Sequence, residues 1–290
     1  RLDYDARNIA RYSTDSAGVG VNFGLPISET QRINFGVLAE YTEITEGYYA
    51  AQEISEFIEV NGAKSANLKA NVSWSRSTLN RGIFADRGTS QSIAAEVSVP
   101  GSDLQFYKFF YNGERYFPIT NSWTLRLRTE LGFGGGYGDT PSLPFYEHFY
   151  GGGFGSIRGF ENSTLGPRST PPLDSEGNPV YFRDRDGDPF GGNLLVEATA
   201  EIIFPMPFVD DNRQFRPAFF VDAGNVFNTN CPTVSVNCFD FDADNFRYSV
   251  GVGVSWLSGM GPLTFSFAKP FQTQPYDEKE MFQFELGRTF

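Results

Sequence analysis

Long apolar runs, histidine and positive charge are all scarce in this 290-residue chain. No stretch approaches the roughly 18 apolar residues of a membrane-spanning helix, which excludes a helical membrane protein. Asp and Glu outnumber Lys and Arg by 35 to 23, giving a net charge of −12. This balance argues against a nucleic-acid partner, because nucleic-acid sites need clustered Lys and Arg.

Catalytic signals are equally scarce. The only histidine is His148, no plausible catalytic triad is present, and no glycine loop between a strand and a helix is placed to bind phosphate. The sequence therefore indicates no enzyme, no cofactor and no metal site. Helical patterning is limited to one short candidate near Ala50 to Val60, which is expected to belong to a loop.

What the sequence does contain is alternation between apolar and polar or very small residues. Between Trp123 and Phe133 the odd positions are mostly apolar, and between Phe246 and Trp256 the even positions are apolar throughout. A period of two indicates β-strands, because successive side chains of a strand point to opposite faces. About twelve strands are predicted: a partial one at 1–8 and others near 17–25, 33–41, 68–74, 91–100, 104–116, 123–133, 192–204, 215–227, 246–256, 261–271 and 280–290.

Alternation alone also fits a soluble sandwich, but strand length and loop length favour an antiparallel transmembrane β-barrel. The predicted strands run about 10 to 13 residues, against a globular mode of about 5 to 6, and about 9 to 11 tilted residues cross a bilayer. Connections mostly alternate between short and long, as in outer-membrane barrels with short periplasmic turns and long extracellular loops. Aromatic residues make up 16% of the chain, enough for a lipid-facing surface and interfacial girdles. We expect one barrel domain over 1–290.

One connection, residues 134–191, is much longer than a link between two strands requires. Unstructured connections beyond about 15 residues are usually functional or disordered. This one contains the segment Gly151 to Phe160, which reads GGGFGSIRGF. Taken alone, Arg158 within it would be read as a solvated loop residue, and the glycines as a sign of flexibility.

Two further features lie in predicted loops. Cys231 and Cys238 are the only cysteines, and in an oxidising compartment they are expected to form a disulfide rather than a metal site, since His148 is far away in sequence. The segment Asp184 to Pro189 resembles the start of a calcium loop. It lacks the expected glycine and closing glutamate, so a solvated acidic loop is the preferred interpretation.

Several motifs in register resemble the BamA family of outer-membrane assembly proteins. The long loop matches as PFYEHFYGGGFGSIRGFENSTLGPR, and RGIFADRGTS, VPGSDLQFYK, AEIIFPMPF, FFVDAGNVF, GPLTFSFAKPF and FQFELGRTF follow the family in the same order. The resemblance covers nearly the whole chain. It implies a sixteen-stranded barrel preceded by periplasmic POTRA domains. Compared with that architecture, this chain would begin in the fifth strand of the barrel. It would lack the POTRA domains and the first strand of the lateral seam.

The resemblance also assigns roles to particular residues. The loop would fold back into the barrel, with Arg158, Gly159 and Phe160 as its docking motif and Glu201 and Asp222 as the acidic partners of Arg158 on the inner wall. The residue pattern agrees, since Glu201 shares a polar strand face and a turn centred near residue 211 would place Asp222 roughly across from it. A guanidinium between two carboxylates would remove their repulsion. Arg216 is the rival partner of Asp222.

The C-terminal strand would supply one edge of the seam and the recognition signal of outer-membrane barrels. Its shared face comprises Phe282, Phe284, Leu286 and Phe290. The implied function is insertion of outer-membrane β-barrel proteins by strand templating at that seam. The implied partners are unfolded barrel proteins, the lipid bilayer and, through the absent POTRA domains, assembly lipoproteins. The long loops would be extracellular and the C-terminus periplasmic.

Two other interpretations remain open from the sequence. A secretion channel or porin-like channel of the same superfamily would use the lumen as a pore and the long loop as a plug, and fold alone does not separate it from an assembly protein. The chain would otherwise be an engineered or truncated barrel without activity of its own.

Overall fold

The computed structural model describes residues 12–47, 50–174, 176–180, 187–207, 214–259 and 261–287. Its main element is an antiparallel sheet of eleven strands. The strands of this sheet are β1 (Tyr12–Ser28), β2 (Gln31–Glu46), β3 (Lys64–Ser77), β4 (Gly88–Ser98), β5 (Phe106–Pro118), β6 (Thr124–Gly136), β8 (Leu194–Ile203), β9 (Phe215–Phe227), β10 (Arg247–Ser258), β11 (Gly261–Phe271) and β13 (Phe282–Leu286). Two short strands, β7 (Gly159–Phe160) and β12 (Lys279–Glu280), pair with each other in a separate small sheet.

Every strand of the main sheet pairs with the strand that precedes or follows it along the chain in that sheet. The predicted antiparallel, all-β architecture is therefore confirmed, with all eleven predicted whole strands present. The partial strand predicted at 1–8 lies outside the described residues. Within the described part of the chain, β1 and β13 end the strand order, and each has one neighbour in the sheet.

Strand lengths differ from the prediction at the two ends of the sheet. The first three strands have 17, 16 and 14 residues, longer than the predicted 10 to 13, because alternation continues past the stretch of apolar residues. The last strand, β13, has five described residues, Phe282–Leu286, and the predicted residue Phe290 lies beyond them.

The two faces of the sheet differ in chemistry as the alternation predicts. On β10, Val250 and Val252 are 43% and 46% exposed on the outer face, whereas Ser249 and Ser255 are buried on the inner face. The same pattern recurs on β9, where Phe219 and Val221 are exposed. An outer face of exposed apolar side chains around a polar, buried inner face is the arrangement of a barrel in lipid.

The prediction that residues 50–60 form part of a loop is wrong, since Gln52–Asn61 is an α-helix, α1. Ile54, Phe57 and Ile58 lie three and four residues apart, on one helical face. Ile54 is fully buried, and this face packs on Phe145 and Phe190 of the long loop. The helix is stabilised by that tertiary packing, which a short segment of ten residues needs. Among the described residues no helix has the length and apolar character to cross a membrane.

The long loop contacts strands that lie far apart in the strand order of the sheet. Glu147 of the loop binds Lys69 of β3 and Lys108 of β5, whereas Arg158 of the loop binds Asp222 of β9. Strands that are far apart in the sheet order therefore meet the same loop. The sheet curves around the loop, as the predicted barrel requires, and the loop occupies its interior.

Candidate functional site

The segment Gly151 to Phe160 lies against the inner face of the sheet. Gly152 has φ +97° and Gly159 has φ +91°, a backbone conformation that favours glycine. A Cβ at Gly152 would lie 2.8 Å from the Glu161 carbonyl oxygen, and one at Gly159 would lie 3.2 Å from Cβ of Ala268. Gly152 lets the loop pack closely on itself, and Gly159 lets its backbone approach the wall at β11, which brings Arg158 within reach of the strands.

Arg158 is buried between two carboxylates of neighbouring strands. Its Nε and Nη2 donate to the two carboxylate oxygens of Asp222 at 2.8 and 2.7 Å, and its backbone N–H donates to Asp222 Oδ2 at 3.1 Å. Nη1 lies 2.8 Å from Glu201 Oε1. All three residues are at most 3% exposed. A bidentate, charge-assisted pair in such a site fixes orientation as well as charge.

The strand register lies within one residue of the predicted one, which centred the turn near residue 211 and placed the two carboxylates roughly across from each other. Asp222 pairs with Thr199, and Glu201 pairs with Phe220, so the carboxylates are diagonal neighbours rather than directly across from each other. Side chains of diagonal neighbours still reach a shared partner. The register also places the Phe220 ring under the guanidinium, with Cζ of Arg158 3.4 Å from the ring centroid. Nothing in the residue pattern pointed to this cation–π contact.

A second arginine supports the same carboxylate. Arg126 of β6 lies opposite Glu201, and its Nη1 is 2.9 Å from Glu201 Oε2 while Nη2 is 3.1 Å from Glu114 Oε2. Glu201 therefore lies between Arg126 and Arg158. The alternation had placed Arg126 on the polar face but gave no reason to choose it over Arg128. Arg128 instead donates to the carbonyl of Gly155 in the long loop at 2.5 Å.

The other two residues of the loop motif bind the last strand. The backbone N–H of Gly159 donates to Gln283 Oε1 at 3.4 Å, and Gln283 Nε2 donates to the carbonyl of Phe160 at 2.7 Å. Gly159 and Phe160 also form β7, which pairs with Lys279 and Glu280 of β12. The loop motif thus connects the β8–β9 wall with the C-terminal strand. Sequence reasoning missed Gln283, although its odd position, between Phe282 and Phe284, placed it on the inner face.

Arg216, the rival partner of Asp222, lies elsewhere. Its Nη2 donates to the carbonyl of Ala85, and its guanidinium lies over the rings of Phe84 and Tyr116. Arg216 and Asp222 share the inner face of β9, but five residues of the strand lie between them. Asp222 binds Arg158 instead.

A second ionic contact holds the outer part of the loop. Glu147 lies 2.7 Å from Lys69 Nζ and 2.9 Å from Lys108 Nζ. Burial alone would raise the pKa of the Glu147 carboxyl, but the two ammonium groups outweigh that cost and hold the pKa below its ordinary value. Next to it, burial lowers the pKa of His148 to about 4. His148 Nδ1 lies 3.0 Å from the Phe190 carbonyl oxygen, and because a carbonyl only accepts, Nδ1 carries the proton.

Three loop segments meet at Glu53 of helix α1. The Glu53 carboxylate accepts hydrogen bonds from the backbone N–H and Oγ1 of Thr170 in the long loop, and Oε1 accepts one from Ser235 Oγ at 2.8 Å. Ser235 lies between Cys231 and Cys238, which form the expected disulfide. These contacts join α1, the long loop and the cysteine loop into one cap at the end of the strands where the long loop begins.

The remaining predicted residues fall in different places. Phe282, Phe284 and Leu286 share the outer face of β13 and are 56% to 60% exposed. Phe290 lies outside the described residues, as do Asp184 to Asp186 of the calcium-like segment. Within the described ranges, no group of three or more His, Cys, Asp or Glu side chains is arranged to hold a metal ion.

Comparison with known proteins gives concordant matches. The family model described as the Omp85 superfamily domain matches residues 1–290. The chain is 36% identical over 98% of its length to the outer membrane protein assembly factor BamA of Neisseria meningitidis serogroup B. It spans 37% of that relative's length.

Solved structures agree with the sequence matches. A crystal structure of BamA from Haemophilus ducreyi lacking POTRA domains 1–3 superposes with a TM-score of 0.83 at 28% identity, over 94% of this chain and 54% of the other. CdiB from Acinetobacter baumannii superposes with a TM-score of 0.55 at 12% identity, over 93% of this chain and 41% of the other. At that identity the second likeness shows the fold alone.

Proposed function

The chain belongs to the Omp85 superfamily, and we propose on this premise that it forms the membrane-embedded part of a machine that folds and inserts β-barrel proteins in the bacterial outer membrane. The relative with 36% identity is named as an assembly factor. The proposal carries that role to the barrel of this chain.

The observation that supports the proposal most strongly is the connection between the loop motif and the C-terminal strand. Arg158 is fixed to β8 and β9 by Glu201 and Asp222, and the next two residues bind Gln283 of β13. The wall strand that the motif binds is the last in the described strand order. The loop therefore holds, from inside the lumen, the strand beside which an incoming strand would pair.

The mechanism requires an available strand edge and no chemical step. Unpaired backbone N–H and C=O groups in lipid cost several kcal/mol each, so a free sheet edge favours pairing with another strand. In the described part of the chain, β13 pairs with β11 only. If the seam beside β13 opens, its edge would template a client strand by β-augmentation, while Gln283 keeps β13 at a fixed position. Backbone hydrogen bonds form but no covalent bond is made or broken, and the protein would act without being an enzyme.

The same proposal assigns an orientation and partners. Helix α1, the long loop and the cysteine loop would face the cell exterior, and the short turns at the opposite strand ends would face the periplasm, as in other outer-membrane barrels. The exposed apolar outer face, including Val250 and Phe219, would contact lipid. The clients would be unfolded barrel proteins, and assembly lipoproteins would act through POTRA domains.

Reconstitution tests this function directly. Liposomes carrying the chain are mixed with a urea-unfolded outer-membrane barrel client, and client folding is followed by its heat-modifiable mobility in gels. We expect faster client folding than in empty liposomes, and slower folding with Gln283→Ala than with Gln272→Ala. Gln272 is a matched control because it donates to the Asp244 carbonyl in a loop, away from the motif. Equal folding rates in loaded and empty liposomes would refute the proposal.

A secretion or porin-like channel is the competing function. It predicts solute leak without any acceleration of client folding, so the same liposomes distinguish the two. A loop held in the lumen fits either function, and the assembly function is favoured because the relative with 36% identity is named as an assembly factor.

A further inference from the structure

The ten-residue connection between β3 and β4 has a defined structure at its base. The side-chain oxygen of Asn80 accepts from the backbone N–H groups of Asp86 and Arg87 at 3.2 and 3.3 Å, and its amide donates to Asp86 Oδ1 at 2.9 Å. The backbone N–H and the hydroxyl of Thr78 both donate to the Thr89 carbonyl, and the Thr89 N–H donates to Thr78 Oγ1. This segment, residues 78–87, is called the inner turn below. These hydrogen bonds fix the base of the inner turn, and its tip extends beyond them.

The inner turn reaches strands beyond its own neighbours on the inner side of the barrel. Ala85 is 4% exposed and packs with Tyr116 of β5, Ile203 of β8 and Ala218 of β9. Three strands of the sheet order lie between β4 and β9. A segment that leaves β3 and packs against β9 therefore extends into the lumen.

Arg216 fixes the tip at the far wall. It is 5% exposed, donates from Nη2 to the Ala85 carbonyl, and lies with Cζ 5.6 Å from the Phe84 ring centroid and 5.4 Å from that of Tyr116. Phe84 has φ +56°, an uncommon conformation for a residue with a side chain. Burying a guanidinium is costly. The buried guanidinium of Arg216 contacts the Ala85 carbonyl and the Phe84 ring of the inner turn and the Tyr116 ring of the wall.

The inner turn and the long loop enter the lumen from opposite ends. The long loop follows the C-terminal end of β6, whereas the inner turn precedes β4, at the end where β6 begins. Both contact one network of polar side chains that lies between the two segments. Tyr116 donates to Glu114 at 3.2 Å, and Glu114 binds Arg126, which binds Glu201 beside Arg158.

We propose that the inner turn is a second plug and that Arg216 is the positioning residue that holds it across the lumen. The barrel interior is then closed to solutes by two barriers in series, the long loop held by Arg158 and the inner turn held by Arg216. This closure concerns the permeability of the barrel and is independent of whether the chain assembles clients.

Barriers in series give a specific pattern in a flux experiment. Liposomes carrying wild type, Arg158→Ala, Arg216→Ala or both substitutions are diluted into a small uncharged sugar such as arabinose, and swelling is recorded. Each single variant keeps one barrier, so a modest rise is expected from each, and the double variant should leak severalfold more than the sum of the two. Arg81→Ala is the control, because Arg81 is exposed and belongs to the same turn.

Two further measurements keep the proposal testable if Arg216→Ala does not fold. Phe84→Ala alters only the turn and should also add to the leak of Arg158→Ala. Exchange of the Asp86 amide, which donates to Asn80 Oδ1, should be slow in wild type, fast in Arg216→Ala and intermediate in Arg216→Lys, which keeps a donor but loses the planar stack. A double variant that leaks no more than Arg158→Ala, or fast exchange at Asp86 in a tight wild-type barrel, would overturn the proposal.

Discussion

Asp222 binds Arg158 through three hydrogen bonds, two from the guanidinium and one from the backbone N–H of Arg158 itself. The loop backbone and the loop side chain are therefore fixed by one carboxylate on the wall. An exposed pair would contribute little, but this pair is at most 3% exposed. Removing one member leaves a buried charge without its partner, which commonly costs about 3–5 kcal/mol.

The first prediction concerns coupling within this cluster. Arg158→Ala and Glu201→Ala should each destabilise the folded barrel, and the double variant should lose less than the sum, because either change alone already breaks the contact. Contacting residues show coupling of about 0.5–3 kcal/mol. Urea unfolding in detergent and client assembly are the readouts. Strict additivity of the two effects would count against a shared bridge. Arg158→Lys keeps the positive charge and should recover only part of the stability that Arg158→Ala loses, because lysine cannot form the bidentate pair with Asp222.

The second prediction concerns the disulfide. Cys231 and Cys238 close a short loop that carries Ser235, Val236 and Asn237 into contact with Glu53, Thr170 and Arg168. Opening a loop of this size costs about 2 kcal/mol in the chain-entropy model. Reduction, or the double Cys→Ser variant, should speed hydrogen exchange in residues 228–246 and leave the strands protected. Mass spectrometry with and without reductant checks the bond, and two free thiols in the untreated protein would contradict it.

The third prediction concerns the outer cap. Glu53→Ala removes the acceptor for Thr170 and Ser235 together and leaves the buried Thr170 N–H without its partner, a penalty of about 1–3 kcal/mol. We expect protease cleavage near α1 and the cysteine loop to accelerate. Glu59→Ala is the matched control, because Glu59 lies on the exposed side of the same helix. If both variants resist protease equally well, Glu53 does not hold the cap.

The fourth prediction concerns pH. The pKa of His148 falls from an ordinary 6.5 to about 4 because the docked loop buries it, with Lys108 and Glu147 as the charged neighbours. Below pH 6.5 the undocked state takes up the proton and the docked state does not, so docking weakens as pH falls towards 4, by at most about 1.4 kcal/mol per pH unit. Glu147 has a lowered pKa, so its contribution is present above the ordinary glutamate pKa and is lost only at more acidic pH.

Hydrogen exchange of residues 143–149 between pH 7 and pH 4, corrected for intrinsic rates, measures this loosening. His148→Gln keeps a donor for the Phe190 carbonyl and removes the titration, so it should flatten the profile between pH 6.5 and 4.5. An unchanged profile in this variant would show that His148 does not control docking. Glu147→Gln should reduce the additional loss at lower pH, because Lys108 then faces a neutral partner while Lys69 keeps its ion pair with Glu40.

The strands were predictable because their signal is local. Alternation between Trp123 and Phe133, or between Phe246 and Trp256, depends only on which face of a strand each side chain occupies. The long loop, the likeness to one family and the cysteine pair also came from the sequence. Helix α1 was assigned wrongly, because ten residues have little intrinsic helical stability and its apolar face is buried by tertiary packing that includes Phe145 and Phe190 of a distant loop.

The sequence by itself determined that this chain forms an antiparallel barrel wall, and the family resemblance added an arginine on a long inward loop. Only the tertiary structure decided what that arginine meets. The register of β8 and β9, and hence Phe220 under Arg158, depends on how the strands pair, as does the contact of Arg126 with Glu201 on the neighbouring strand. Gln283 and Arg216 acquire their partners only when the sheet curves and the loops enter it. Alternation fixes a face for each side chain, but contacts across a lumen depend on closure between residues that are far apart in the chain.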